Sequence, residues 1–300
     1  MSRIFNKLRY EREKLKTRLN AMAGRLMRRP EVRDIDTTID TIISRRASIA
    51  RFGDGEFDII FGRFQGFQHF DYELSRRLRE VLKANGRSDT FLVGIPDCYG
   101  DLSHFTPQAQ YHWKIRLDRE RWKWYRILNR KAPYYQAQIS RFYFDWADKS
   151  RSPEWAEKLK SIWDDRNLLI IEGAKSRLGL GNDLFDRCRS IRRILCPPTE
   201  AFKKYDAILD ATVKVATPDD LILIALGPTA SVLAYDLHEK GFQAIDIGHV
   251  DLEYEWMKMN ATEKVNIPGR YNNEVSGGNI VDDSAVDGIY LSQIVKEIPD

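Results

Sequence analysis

Two carboxylates separated by one glycine, Asp54 and Glu56, stand in the stretch Arg51-Phe52-Gly53-Asp54-Gly55-Glu56. Gly53 and Gly55 bracket Asp54, a pattern that lets the backbone take positive φ and approach a ligand closely. Two hard oxygen ligands in one turn suit a divalent cation that also holds a diphosphate, and Arg51 adds a cation for the same ligand. The same residues also fit an Asx-turn followed by a capping acid at a helix N-terminus.

Three further polar clusters follow apolar runs. Glu172-Gly173 closes the run that begins at Asn167, and Lys175, Arg177, Gly179, Gly181, Asn182 and Asp183 come next. Strand, glycine-rich turn and helix is how α/β folds present backbone N–H groups to phosphate, although this turn matches neither a Walker A motif nor the dinucleotide fingerprint. Gly227-Pro228-Thr229 follows Leu221–Leu226, with hydroxyls suited to a helix N-terminus. Asp246, His249 and Asp251 end the run from Gln243 and are candidate acid–base groups. Glu253 and Glu255 beyond them suit the start of a helix. Ligands of open α/β sheets bind outside the strand C-termini, so the convergence of these clusters says more than any one of them.

The elements that must position these groups read as a βα alternation. Strands are expected at 48–52, 90–96, 139–144, 167–173, 190–196, 221–226 and 243–249, the most apolar of them as strands buried on both faces. Helices are expected at 38–46, from Phe57, at 70–84, 107–130 and 153–163, at 199–213 with Thr199 as N-cap, and at 232–239. Residues 97–165 form an aromatic-rich insertion whose Trp and Tyr rings are either packing or a face on which an acceptor sugar stacks. Residues 276–300 read as a C-terminal tail.

Residues 3–28 read as one basic amphipathic helix, within an N-terminal segment 1–34 ahead of the domain at 35–275. Met1, Leu8, Leu15 and Met22 recur every seven residues beside Phe5, Leu19 and Leu26, making an apolar seam interrupted by Arg12. Such a helix docks on the body, pairs two copies of the chain, or lies on an anionic membrane face.

Residues 1–29 carry ten Lys/Arg against Glu11 and Glu13, so they contribute +8 of a net charge of +4, and residues 30–300 carry −4. The basic character therefore belongs to the N-terminal segment. No zinc-finger, RRM or KH signature accompanies it, so nucleic acid is not an expected partner. The three cysteines lack metal-type spacing, and no apolar run reaches transmembrane length. A cytoplasmic protein, or one peripheral on the inner face of the membrane, is expected.

Taken together, Arg51–Glu56, Glu172-Gly173, Arg177–Phe185, Leu226–Thr229 and Asp246–Trp256 resemble the GT-D-type glycosyltransferases, a bacterial family long catalogued as a domain of unknown function. The resemblance covers roughly residues 40–275. It implies a Rossmann-like, mostly parallel sheet with helices on both faces. It also implies transfer of a glucose-type hexose from a UDP-sugar to a glycan or glycoconjugate acceptor, dependent on Mn²⁺ or Mg²⁺, in surface polysaccharide or glycoprotein biosynthesis. The family's Asp-X-Glu motif falls on Asp54 and Glu56, with Glu56 on the metal and Asp54 beside the donor. The turns at Gly179–Asp183 and Gly227–Thr229 would hold the nucleotide. Two other classes fit the same strand-end turns: a phosphosugar- or nucleotide-processing enzyme, and a non-catalytic nucleotide-sugar sensor.

Overall fold

The computed structural model describes residues 2–64, 66–282 and 286–300. Its centre is one sheet of eight parallel strands: β1 (Ser48–Arg51), β2 (Phe91–Ile95), β3 (Tyr135–Gln136), β4 (Asn167–Gly173), β5 (Ser190–Cys196), β6 (Asp220–Ala225), β7 (Gln243–Asp246) and β8 (Ile294–Glu297). They lie in the order β3-β2-β1-β7-β6-β4-β5-β8. The apolar runs behave as parallel strands covered on both faces. Leu169, Ile171, Ile222 and Ile224 enter one apolar layer. Leu168, Ile170, Leu221 and Leu223 enter the layer on the opposite face, as the two-residue period of a strand requires.

The first layer is closed by α3 (Asp54–Ile60), α4 (Tyr72–Lys83), α5 (Pro107–Ile127), α7 (Tyr205–Val215) and α8 (Pro228–Glu239). The second is closed by α2 (Ile35–Arg45), α6 (Ser152–Lys160) and α9 (Val250–Lys258). The chain leaves β1 toward β2 and β3 on one side, whereas β4 to β7 lie on the other. Their connections therefore diverge at the β1/β7 boundary, the point where an open α/β sheet forms its crevice.

Several elements differ from expectation. The strand expected at 139–144 is absent; β3 ends at Gln136 and a 3₁₀ turn, Ala137–Ser140, follows. The N–H groups of Tyr143 and Phe144 both donate to Glu253 Oε2, at 2.9 and 2.8 Å, which removes them from any ladder. Thr199 does not cap a helix, because Glu200 takes a left-handed conformation (φ 55°) before a 3₁₀ turn, and α7 begins only at Tyr205. Helix α8 starts at Pro228, where the fixed φ of proline suits the first helical position. The segment after residue 275 supplies α10 (Gly288–Ser292) and β8, which pairs with β5 at the sheet edge.

The rings of the aromatic insertion are largely spent on packing. Phe57 stacks on Trp124 with ring centroids 3.8 Å apart, and Trp113, Tyr125 and Tyr134 are buried around them. Tyr111 and Trp122 remain exposed.

Helix α1 (Ser2–Leu26) docks on α5, but not through its apolar seam. Asn20 Nδ2 donates to Arg119 O (2.9 Å), its Oδ1 accepts from Trp122 N (2.8 Å), and Ala23 is buried beside it. Met1, the first residue of the seam, lies outside the described residues. Among the described residues no helix is long and apolar enough to cross a membrane.

Burial, with Asp145 nearby, pushes the pKa of Glu253 up to about 7 against the pull of Arg141. The folded chain therefore holds this proton more tightly than the unfolded chain does. The group's contribution to stability is complete below about pH 4.5 and is lost as pH rises toward 7. Replacing Glu253 by Gln should shrink the fall in Tm between pH 5 and pH 8 by on the order of 5 °C, read by thermal melts. An unchanged fall would place the proton elsewhere.

Candidate active site

A cleft of about 830 Å³ opens at the C-terminal ends of the strands, a size ordinary for small-molecule sites. Its walls come from β1 and the start of α3, the turns after β2, β4, β5, β6 and β7, helix α5, and the loop 262–274.

Its floor is set by Arg51 and Asp246, one at the end of each central strand. Arg51 Nη2 donates to Asp246 Oδ1 (2.9 Å), Nε to Asp246 O (2.7 Å), and Nη1 to Ala137 O (3.0 Å). Ser231, in the first turns of α8, donates to both Arg51 O (2.7 Å) and Asp246 Oδ2 (3.1 Å). Both charged groups are thereby committed to one another. Gly248 makes room for this arrangement: its φ is 47°, and a Cβ there would lie 1.9 Å from Arg51 Nη2.

From that floor the chain turns directly into α3. Neither Gly53 (φ −103°) nor Gly55 takes the expected positive φ. The helix starts at Asp54, and Glu56, in its first turn, accepts from Gly53 N at 2.6 Å. The capping arrangement is therefore real, and it also faces both acids into the cleft.

The two acids differ electrostatically. Desolvation and the nearby Asp246 charge push Glu56 up to about 7. Among the described residues Glu56 forms no ion pair. Desolvation also opposes ionisation of Asp54, but His112 Nε2 at 3.2 Å, Arg116 at 3.3 Å and the more distant Arg141 outweigh it. They hold Asp54 well below the usual carboxylate range, while its side chain stays 45% exposed.

The opposite wall is built around Glu274. It pairs with Arg141 and Lys264, and with His249 Nε2 at 3.1 Å. Burial and the adjacent Arg141 lower His249 to about 3, so its imidazole is neutral at physiological pH. Gly227 lines the cleft with φ 53° at the head of α8, against the ring of Phe67. Pro228 is the first residue of α8, and the buried Thr229 Oγ1 behind it has no partner among the described residues.

The cluster after β4 goes elsewhere. Glu172 is fully buried and accepts from Leu178 N (2.7 Å), Arg193 Nη1 (2.5 Å) and Tyr290 Oη (3.0 Å). Lys175 points to solvent, and Arg177 binds the carbonyls of Gly269 and Asp282. Gly179 packs on Phe185 and donates its N–H to Asp251 Oδ1 (2.9 Å), while Gly181 turns the chain at φ 70°. Asn182 bridges Asp251 (2.7 Å) and Glu255 (2.6 Å). Asp183 is held by Lys160 (2.9 Å) and Lys258 (2.7 Å). Asp251 itself is paired with Arg270. The expected phosphate turn is thus a polar brace between the β4 connection, α9 and the loop that carries Glu274.

His112, Arg116, Gln138, Arg141, Lys264 and Glu274 surround the site without having been singled out in the sequence. The only signal touching them was the aromatic insertion taken as a block, which contains the first four.

A bound divalent ion fits one part of this arrangement. Glu56 is a cleft-facing carboxylate without a cationic partner, and Asp54 stands beside it in the same helical turn. Among the described residues no three His, Cys, Asp or Glu side chains form a ready metal cage. The remaining ligands would be diphosphate oxygens and water, the usual situation for Mg²⁺.

Residues 49–275 match the family described as Glycosyltransferase GT-D fold. The chain belongs to that family. A solved structure described as a new glycosyltransferase from Streptococcus sanguinis is 41% identical, with a TM-score of 0.85, over 90% of this chain and 100% of that one. Another, described as a highly conserved domain with a distinct glycosyltransferase fold, is 38% identical with the same TM-score, over 93% of this chain and 100% of its own. The probable glycosyl transferase Gly of Streptococcus gordonii is 40% identical over 90% of this chain. Glycosyltransferase GlyD of Streptococcus pneumoniae is 41% identical over 89%. The chain spans 40% and 32% of the lengths of those two relatives. The eight-stranded parallel sheet with flanking helices is the GT-D architecture, as the sequence blocks implied.

The glycine at 248 offers a direct check of the floor. Gly248→Ala must either strain a left-handed backbone or displace Arg51, and should cost about 1–3 kcal/mol. Gly53→Ala, whose new Cβ meets only Glu56 at 3.4 Å, should leave stability within about 0.5 kcal/mol. Chemical denaturation of the two variants measures both values.

Proposed function

We propose that the chain transfers a hexosyl group from a UDP-sugar to a hydroxyl of a glycan or glycoconjugate acceptor, with Mn²⁺ or Mg²⁺ bound at Glu56 and Asp54. The observation that carries this reading is the charge of the cleft. Asp54, Glu56, Asp145, Glu200, Asp246, Asp251, Glu263 and Glu274 line it, against Arg51, Arg141, Lys149 and Lys264, so eight carboxylates face four permanent cations. Those cations are already engaged: Arg51 with Asp246, Arg141 and Lys264 with Glu274, and Lys149 with the carbonyls of Tyr143 and Phe144. Arg116, Arg270 and Lys203, outside the lining, pair with Asp54, Asp251 and Glu200. Among the described residues Glu56, Asp145 and Glu263 are therefore the lining carboxylates without an ion pair. A diphosphate entering alone would meet their charge with no free cation beside it. The same diphosphate bridged to Glu56 by a divalent cation would not.

The bound cation would neutralise charge on the leaving UDP. The chain's own groups do the rest. The N-terminus of α8 has no side-chain cap; Pro228 carries no N–H and Ala230 N donates to Gly227 O (2.9 Å), so the Thr229 N–H is the group of its first turn that could meet phosphate charge. Asp54, kept ionised by His112 and Arg116, is fixed in orientation to accept hydrogen bonds from the donor sugar. Of the three candidate bases, Asp246 and Asp251 are each committed to a guanidinium, whereas His249 is neutral and lines the cleft. His249 is free of a guanidinium, but its ring resists protonation and its Nε2 faces Glu274 at 3.1 Å, so none of the three stands as an uncommitted base in this arrangement. The unpaired cysteines Cys98, Cys188 and Cys196 suit a reducing, cytoplasmic compartment.

The test is UDP release from a panel of UDP-sugars, with and without Mn²⁺ and with EDTA. Turnover should require the metal and fall by about 100-fold or more in Glu56→Ala, with Asp54→Ala also strongly impaired at unchanged Tm. Metal-independent turnover, or full activity in both folded variants, would overturn the site assignment. Tight UDP binding with no turnover of any sugar would favour a sensor instead.

A further inference from the structure

The face of α1 that docks on α5 is small and polar, centred on Asn20, Ala23 and Gly24. The apolar seam is left outside. Phe5, Leu8, Leu15, Leu19, Met22 and Leu26 are each between 54% and 80% exposed. At 100° per residue, Leu8, Leu15, Leu19, Met22 and Leu26 fall within an arc of about 60°. Lys7, Lys14 and Arg18 lie along one border of that arc, and the face docked on α5 lies along the other. Where α1 meets α5, Trp122 stands exposed beside Asn20.

An exposed apolar row on a helix marks an interaction surface. Two occupants compete for this one, and charge separates them. A second copy would bring another +8 segment alongside the first, with Arg12 at the edge of the seam. An anionic lipid surface has the complementary charge, and the row of leucines bordered by lysine and arginine is the pattern of a helix lying in a membrane interface. An exposed tryptophan at the helix-docking point suits the same depth.

We propose that α1 is a membrane-surface anchor, with the seam buried among acyl chains of an anionic leaflet and Lys7, Lys14 and Arg18 at the headgroups. The polar dock through Asn20 then couples the anchored helix to α5, which also carries His112 and Arg116 beside Asp54. This proposal is independent of the reaction catalysed.

The full-length protein should float with vesicles of 70% phosphatidylcholine and 30% phosphatidylglycerol and stay behind with phosphatidylcholine alone. Leu15→Ser/Leu19→Ser, at exposed positions, should lower the partition coefficient at least tenfold with unchanged Tm and unchanged mass in solution. Lys7→Glu/Lys14→Glu/Arg18→Glu should lower it comparably. Absence of binding to the anionic vesicles would overturn the proposal. So would binding that the serine variant retains, or a dimer in solution that the serine variant converts to monomer.

Discussion

Arg51 and Asp246 hold the two central strands together at the end where the cleft opens, and the site's geometry follows from that pair. The guanidinium ties β1 to β7 and, through the carbonyl of Ala137, to the turn after β3. Ser231 brings the head of α8 to the same point. Four connections therefore meet at one largely buried ion pair whose hydrogen-bonding groups are satisfied on both partners, the condition under which such a pair is tolerated away from water. Removing either partner would leave an unmatched charge in the floor. The pair also fixes where Asp54 and Glu56 begin α3 and where His249 begins its approach from β7, so the acids and the imidazole are positioned by the same constraint.

Much of the sheet was legible because its inner strands are apolar on both faces. The runs at 167–173 and 221–226 have no other way to bury their side chains, and their ends locate the cleft. The opening motif was legible for a related reason: an acid pair directly after a short strand has little freedom in where it points. The glycine-rich turn after β4 reads two ways in the sequence. A glycine needed for close packing, such as Gly179 against Phe185, has the same local sequence signature as one needed for close approach of a phosphate. Only the partners distinguish them, and here the partners are Asp251, Glu255 and Arg270, some 70 to 90 residues away.

The wall opposite Glu56 was illegible for the same reason carried further. Arg141 and Glu274 are 133 residues apart, and neither stands in a motif. The strand expected at 139–144 failed because the buried Glu253 takes two backbone N–H groups that a ladder would have used. The seam of α1 was visible as a pattern, but the sequence did not reveal that the helix would dock through Asn20 and leave that seam exposed. A single asparagine bonded to both a backbone carbonyl and a backbone N–H of α5 decides the orientation.

The cleft's excess of carboxylates ties these features to function, because it makes the affinity for a diphosphate conditional on a cation. Titration calorimetry of UDP binding to the intact protein, with and without saturating Mn²⁺, measures that coupling directly. A donor bridged through Glu56 predicts UDP affinity at least tenfold higher with Mn²⁺, matched by an equal gain in Mn²⁺ affinity when UDP is present. Equal UDP affinities with and without the metal would contradict a cation-bridged site.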